Sequence, residues 1–237
     1  MWKRRCTLIA LVLLISLSVF FKAAGQSQYI QNGMQALVYH AMQIERFFPE
    51  LDPVGAAIGE FEKAIQAGDG DEAHLLLGLV YQNMGLDQQA AAEFQRFLRR
   101  NPEDGWAWAL VGDSYLRLGE YSLAQQAYAK SKEYGSFARS HFGLGSIFLD
   151  AQDYTAAREA FELALEEAPD FLGARVGLGI SLYHLEEYEE AVEVLELTQL
   201  LDPRSVEIHH YLALTYDALG RTEQAEHTRE RITQLTP

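Results

Sequence analysis

The stretch that decides the fold runs from residue 138 to residue 205 and consists of two related segments. Residues 138–171 read ARSHFGLGSIFLDAQDYTAAREAFELALEEAPDF, and residues 172–205 read LGARVGLGISLYHLEEYEEAVEVLELTQLLDPRS. Both contain a Gly-Leu-Gly step in the first half, an alanine followed by a bulky apolar residue in the second half, and a proline near the end. The pattern returns after 34 residues, which predicts a tandem repeat.

The same register extends in both directions and defines five repeats, which are residues 71–104, 105–137, 138–171, 172–205 and 206–237. The eighth place of each repeat is small, and its residues are Gly78, Gly112, Gly145, Gly179 and Ala213. The twentieth place is always alanine, at positions 90, 124, 157, 191 and 225. The twenty-fourth place is bulky in four repeats, as Phe94, Tyr128, Phe161 and Leu195. Five segments in register are a specific signal, whereas one could arise by chance.

The spacing predicts two antiparallel helices in each repeat. The twentieth and twenty-fourth places are one helical turn apart, so the alanine and the bulky residue share a face. A glycine inside a helix costs about 1 kcal/mol relative to alanine. Its use at the eighth place therefore predicts a close helix approach that excludes a methyl group. The proline at the thirty-second place of four repeats predicts the end of the second helix, because proline lacks an N–H group.

This pattern resembles the tetratricopeptide repeat, and the resemblance covers residues 71–237. It implies an all-α solenoid in which antiparallel helix pairs stack into a right-handed superhelix, with the first helices lining a concave groove that binds a protein partner. The groove places in this family are the second, fifth, ninth, twelfth and thirteenth of each repeat. The candidate groove residues are Leu75, Leu79, Trp106, Asp113, Arg117, Arg139, Phe142, Leu149, Val176, Ile180, Tyr183 and His210.

The apolar share of these residues favours an amphipathic helix or a hydrophobic peptide as the bound segment. The family's Lys/Asn/Arg clamp for a partner's C-terminal carboxylate is absent, because no lysine occupies a fifth place and no asparagine a ninth. The alternative is that several candidate groove residues fill the gaps between neighbouring repeats, although Trp106 and Phe142 together favour the binding interpretation.

Residues 1–25 read as a targeting segment outside the repeats. Lys3, Arg4 and Arg5 precede an apolar run over residues 6–21, and small residues follow it. Charge before an apolar run holds the N-terminus in the cytoplasm, so we expect the repeats on the periplasmic or secreted side. The sequence leaves two alternatives open, a cleaved signal peptide and an uncleaved anchor that contacts the membrane through residues 6–21.

Residues 26–70 are less regular, and we interpret them as a degenerate sixth helix pair or an N-terminal cap. The apolar spacing predicts a first helix that ends near Pro49 and a second from about Val54 to Ala67. The second helix keeps the repeat spacing through Ala57 and Phe61. The first does not, because Glu45 falls where the small residue is expected.

Composition and motifs exclude several classes of function. The chain carries 34 acidic and 19 basic residues, a net charge of −15, and has no Lys/Arg stripe of the kind that binds nucleic acid. His74, His141 and His209 share the fourth place of three different repeats, which is too far apart for one metal ion. No nucleophile elbow or phosphate loop is present. We therefore expect no catalysis, cofactor or metal.

Two hypotheses from different classes follow. The first is a non-catalytic scaffold that binds protein partners in the groove. The second is a self-assembling structural subunit of a membrane-associated complex, a homo-oligomer in which the groove takes the amphipathic stretch 29–48 of a neighbouring copy. A third, an enzyme subunit with a concealed site, has no motif to support it.

Overall fold

The computed structural model describes residues 28–41, 52–68, 70–135 and 137–236, and these contain helices and turns without a strand. The twelve helices of this part of the chain are α1 (Gln28–Ala41), α2 (Pro53–Ala67), α3 (Gly70–Asn83), α4 (Asp87–Leu98), α5 (Gly105–Arg117), α6 (Tyr121–Glu133), α7 (Phe137–Asp150), α8 (Tyr154–Glu167), α9 (Leu172–His184), α10 (Tyr188–Leu201), α11 (Val206–Ala218) and α12 (Thr222–Leu235). The predicted all-α architecture of helix pairs is confirmed.

Helices α3 to α12 supply one first helix and one second helix to each of the five predicted repeats. Pro102, Pro169 and Pro203 follow the ends of α4, α8 and α10, as their spacing predicts. The helices belong to two compact parts, an N-terminal part that ends at Leu118 and a C-terminal part that begins at Gly119.

A contact between a glycine and a bulky side chain recurs in the interior of the repeats. A Cβ atom added to Gly78 would lie 2.5 Å from Cε1 of Phe94, the twenty-fourth residue of the same repeat. At Gly145 it would lie 2.7 Å from Cε1 of Phe161. The rings themselves are fully buried. Close packing against the ring therefore outweighs the helix-propensity cost of glycine, as the sequence predicts.

The Gly-Leu-Gly steps of α7 and α9 are explained by the same kind of contact between a glycine and an aromatic ring. Gly177, at the sixth place, lies against the Phe161 ring of the preceding repeat, and an added Cβ would lie 2.6 Å from its Cε2. Gly143 lies against the Tyr128 ring in the same way. The ring of Phe161 therefore packs between Gly145 of its own repeat and Gly177 of the next.

The pair α1–α2 repeats this contact with a different spacing. Gly33 of α1 lies against the ring of Phe61, which is fully buried on α2. The predicted place of the small residue, Glu45, lies outside the described residues, as does the predicted helix end near Pro49. Gly33 precedes Phe61 by 28 residues in the sequence, whereas Gly78 precedes Phe94 by 16. The contacting glycine therefore lies upstream of its expected place.

The turn between paired helices places the fifteenth residue of every repeat in the left-handed region. The φ angles are 73° at Gly85, 75° at Gly119 and 70° at Gly220. Gln152 and Glu186 hold the same place with φ angles of 60° and 63°. A side chain makes this conformation unfavourable, so the fold imposes it on both residues.

The predicted targeting segment, residues 1–25, lies outside the described residues. Among the helices that the structure does describe, none is both long enough and apolar enough to cross a membrane.

Candidate protein-interaction surfaces

One type of contact recurs between consecutive repeats. It joins the side chain at the seventeenth place of one repeat to the side chain at the thirteenth place of the next. In the N-terminal part this contact is an ion pair, with Arg117 Nε 2.7 Å from Asp87 Oδ1. In the C-terminal part Tyr121 donates its hydroxyl to Asp150 Oδ2 at 3.1 Å. The third example is a ring stack of Tyr154 on His184, with centroids 4.3 Å apart and planes at 9°. The geometry recurs while the chemistry changes.

In the N-terminal part, the candidate groove residues differ in how accessible their side chains are to a partner. Trp106, on α5, is 43% exposed. Leu75 and Leu79 of α3 and Asp113 of α5 are half-buried. The guanidinium of Arg117 binds the carboxylate of Asp87, which is itself buried. Trp106 is therefore the large apolar surface that this set offers to a partner.

In the C-terminal part, four of the candidate groove residues are buried or half-buried, and three of them, Phe142, Leu149 and Val176, are half-buried and pack against the core clusters. The ring of Phe142 lies 4.8 Å from that of Phe171 and 6.0 Å from that of Phe161, measured between centroids. Leu149 packs against the same cluster. Val176 packs against the core around Leu195, and Ile180 is 8% exposed. These positions follow the alternative in which such residues fill gaps between repeats.

Of the remaining candidates, Arg139 is half-buried on α7, while Tyr183 and His210 belong to a cluster of aromatic rings. The ring centroid of Tyr183 is 5.1 Å from that of His184, 5.9 Å from Tyr188 and 5.8 Å from Tyr211. His210 meets Tyr211 edge-on at 5.4 Å. With Tyr154 stacked on His184, six side chains from α8, α9, α10 and α11 form one connected group, the aromatic cluster.

Burial and nearby carboxylates shift the pKa of three members of this cluster toward the neutral form. Burial raises the pKa of Tyr211, and the carboxylate of Glu207 raises it further. Burial and Glu186 raise the pKa of Tyr188 in the same way. Burial lowers the pKa of His184 and so favours its neutral form. The cluster presents flat rings with polar hydroxyl groups, which suits contact with a protein segment.

Four of the six members, Tyr154, His184, Tyr188 and Tyr211, are not among the candidate groove residues, although His184 holds a thirteenth place. A signal was present, because tyrosine occupies the seventeenth place of three consecutive repeats, as Tyr121, Tyr154 and Tyr188. Without knowledge that the seventeenth place contacts the thirteenth place of the next repeat, this recurrence has no evident meaning.

The histidines at the fourth place pack individually. His209 is 1% exposed, with Nδ1 2.6 Å from the carbonyl oxygen of Ser205 and Nε2 3.0 Å from Gln199. His74 Nδ1 lies 2.6 Å from Glu93 Oε2. His141 is half-buried, and burial lowers its pKa. Over the described ranges, three or more His, Cys, Asp or Glu side chains nowhere converge as a metal site would require.

A cleft of about 730 Å³ lies in the N-terminal part, between α2, α3 and α4. Its lining combines the acids Asp71 and Glu93 with His74, Arg96 and Arg100. Arg96 binds Glu93, and Arg100 lies 3.1 Å from Asp71. These charges compensate one another within the chain, so the cleft shows no preference for a charged ligand.

Paired antiparallel helices, a 34-residue period and recurring glycine–ring contacts define a helical-repeat protein of the protein-binding class. Family models described as tetratricopeptide repeat match residues 75–136, 110–171 and 148–210, which together span more than half of the chain. The chain belongs to the tetratricopeptide repeat family.

Known proteins resemble it over limited lengths. Human cilia- and flagella-associated protein 70 is 28% identical over 177 residues, which are 72% of this chain and 15% of that protein. The chain thus spans a small fraction of this relative. The structure of a MamA double mutant gives a TM-score of 0.61 at 18% identity and covers 70% of this chain and 94% of its own. YrrB, described as a TPR protein with an unusual peptide-binding site, gives 0.57 at 18% identity and covers 75% and 92%. At these identities the likeness to both structures concerns the fold.

Proposed function

We propose that this protein is a non-catalytic scaffold on the extracytoplasmic side that binds a segment of a partner protein on the face formed by its first helices. The observation that carries the proposal is the aromatic cluster around Tyr183. Tyrosine and tryptophan provide large contact areas at a small entropy cost, and they are frequent anchors of protein interfaces.

The cluster suits a peptide or helix better than a small molecule. It extends over four helices and three consecutive repeats, and its rings are half-buried or exposed. The nearby carboxylates of Glu186 and Glu207 favour apolar or basic side chains on the bound segment, because a cation over a tyrosine ring is attracted to the ring face. YrrB, which shares the fold, has a peptide-binding site by its description.

The extracytoplasmic location rests on the sequence that precedes the repeats. Three basic residues followed by an apolar run direct the following chain across a membrane. The net charge of −15 agrees with a body that does not adsorb to anionic lipids. Protease digestion of intact and permeabilised cells tests the location, because an extracytoplasmic chain is cleaved without permeabilisation of the inner membrane. The intact mass of the purified protein distinguishes a cleaved signal peptide from a retained anchor.

The binding test uses the full-length chain purified from gently solubilised membranes. A partner that co-purifies is identified, and its affinity is compared between the wild type and the double variant Tyr183→Ala, Tyr211→Ala. We expect a loss of about tenfold or more, because two ring anchors are removed. Leu123→Ala, an exposed apolar position of α6 outside the cluster, is the matched control and leaves the affinity unchanged.

Phe142 is a poor probe of binding, because its ring packs against Phe161 and Phe171 in the interior. Thermal unfolding of each variant distinguishes loss of binding from loss of structure. A partner that binds the folded double variant as tightly as the wild type would overturn the assignment of the face.

The second candidate function, self-assembly, loses part of its basis in the structure. It requires the apolar side of residues 29–48 to bind a neighbouring copy. Ile30 and Ala36 of α1 are instead buried in a core that contains Phe61 of the same chain. Sedimentation of the full-length chain over a range of concentrations measures this alternative directly, since an assembling subunit gains mass with concentration.

A further inference from the structure

One second helix differs from the others on its outward side. Leu197, Leu200 and Leu201 of α10 are 57%, 78% and 56% exposed. The other repeats hold mostly charged or polar residues at these three places, the twenty-sixth, twenty-ninth and thirtieth. Those residues are Arg96, Arg99 and Arg100 in the first repeat, Lys130, Glu133 and Tyr134 in the second, Leu163, Glu166 and Glu167 in the third, and Arg231, Gln234 and Leu235 in the fifth. The repeat geometry does not require leucine at these places, so packing of the fold does not account for it.

The inner side of α10 is filled independently of these leucines. Ala191, Leu195 and Thr198 are fully buried and face the other helices. At 100° per residue, Glu190, Glu193, Leu197, Leu200 and Leu201 fall on one outward stripe. The first half of this stripe is acidic and the second half is apolar, over about three helical turns.

We propose that this stripe binds an amphipathic, basic helix of a partner protein. The leucines occur at i, i+3 and i+4 spacing, which matches the apolar side chains of a helix packed alongside. The exposed carboxylates of Glu190 and Glu193 then face lysine or arginine residues one to two turns further along the same partner helix. Charge complementarity therefore selects a basic partner and sets its direction.

A second copy of this chain is a poorer occupant. Each copy carries a net charge of −15, and a large net charge of one sign opposes association of identical chains. Three leucine side chains also provide much less area than the roughly 800 Å² per partner of a stable dimer. An anionic lipid surface is disfavoured by the same carboxylates.

The experiment measures binding of a labelled helical peptide to the full-length protein by fluorescence anisotropy. The peptide carries three leucines on one face and, further along that face, two lysines; a second peptide has glutamates in place of the lysines. We expect the lysine peptide to bind at least about tenfold more tightly than the glutamate peptide, with an affinity that falls as salt is added.

Two variants separate the apolar and charge contributions. Leu197→Gln, Leu200→Gln, Leu201→Gln weakens the lysine peptide by about tenfold or more, and Glu190→Gln, Glu193→Gln weakens it several-fold and reduces the salt dependence. Both sets of positions are exposed, so the thermal midpoint stays near that of the wild type. Leu123→Gln is the matched control. The double variant Tyr183→Ala, Tyr211→Ala binds the peptide normally, which separates this stripe from the aromatic cluster.

Three results would overturn the proposal. In the first, the leucine variant binds the lysine peptide like the wild type. In the second, the wild type forms dimers that the leucine variant does not, which assigns the stripe to a second copy. In the third, the wild type binds phosphatidylcholine vesicles and the leucine variant does not, which assigns the stripe to a lipid surface.

Discussion

Equivalent places carry similar residues and contacts in the interior of the repeats, but different contacts at their edge. The edge is where the seventeenth residue of one repeat meets the thirteenth residue of the next. In the interior of the C-terminal part, Phe161 and Leu195 hold the same place, and each contacts a glycine on the paired helix. At the edge, Tyr121 and Tyr154 also hold one place, yet the first donates to a carboxylate and the second stacks on an imidazole. Interior contacts are fixed by volume, whereas edge contacts require only that two side chains be compatible. The side chains at the edge can therefore change from repeat to repeat, as the residues of a binding face must if they are to fit a particular partner.

The largest expected effect tests the interior. In Gly177→Ala the new Cβ meets the ring of Phe161, which has no space to move because Gly145 lies on its other side. We expect a decrease of about 2 kcal/mol in the free energy of unfolding, measured from the urea midpoint. Gly59→Ala is the control, because nothing lies within 4 Å of that added Cβ, and helix propensity there gains up to about 1 kcal/mol. Equal effects at both sites would contradict the steric account.

The next effect tests the edge. Arg117→Met leaves the buried carboxylate of Asp87 without its partner, and we expect a loss of about 1–2 kcal/mol, reduced by the partial exposure of the arginine. The double variant Asp87→Tyr, Arg117→His installs the pair found at Tyr154 and His184.

If edge chemistry is interchangeable, this double variant is more stable than either Asp87→Tyr or Arg117→His alone. A double-mutant cycle measured by urea unfolding gives the coupling. Additive losses would show that each edge contact depends on its own surroundings, and the distinction between edge and interior would fail.

A smaller and stabilising effect is expected at the turns. Glu186 has a φ of 63°, which favours glycine. Glu186→Gly relieves this strain and raises the free energy of unfolding by about 0.5–1 kcal/mol. Glu189→Gly, in the first turn of α10, is the control and lowers it. A loss of stability in Glu186→Gly would mean that contacts of the Glu186 side chain outweigh the backbone strain.

The smallest effect concerns pH. Burial, assisted by Lys132, lowers the pKa of His141, against the opposing influence of Glu167. The unfolded chain, with a histidine pKa of about 6.5, then binds the proton more readily than the folded chain. The stability from neutral His141 is fully present above about pH 6.5 and is lost as the pH falls below it.

His141→Phe removes this dependence, so the wild type loses thermal stability relative to the variant between about pH 7.5 and about pH 5. The control is the same substitution at an exposed histidine, His227→Phe, measured over the same pH range. A wild type and His141→Phe that lose stability in parallel on acidification would contradict the assignment.

The difference between interior and edge also explains which contacts could be predicted from the sequence. Gly78, Gly145 and Phe161 were predictable as packing residues, because a volume constraint leaves the same kind of residue at the same place in four of the five repeats. The aromatic cluster was not predictable, since Tyr154 and His184 meet across consecutive repeats and their partners change from repeat to repeat. Gly33 was missed because it precedes Phe61 by 28 residues, which breaks the register on which the prediction relied. The family places did not distinguish Trp106, which is 43% exposed, from Phe142, whose ring packs against that of Phe171.

The shared position of Phe161 has a consequence for cooperativity. Its ring completes the interior of its own repeat and, through Gly177, that of the next. In such an array each repeat contacts only its neighbours, so the stability is the sum of the contributions of single repeats and of the interfaces between adjacent repeats. Opening one repeat of the C-terminal part removes some of the packing around a ring that the next repeat also contacts. Unfolding should therefore spread from an open repeat to its neighbour, and the interface between adjacent repeats, not the single repeat, is the unit that resists it.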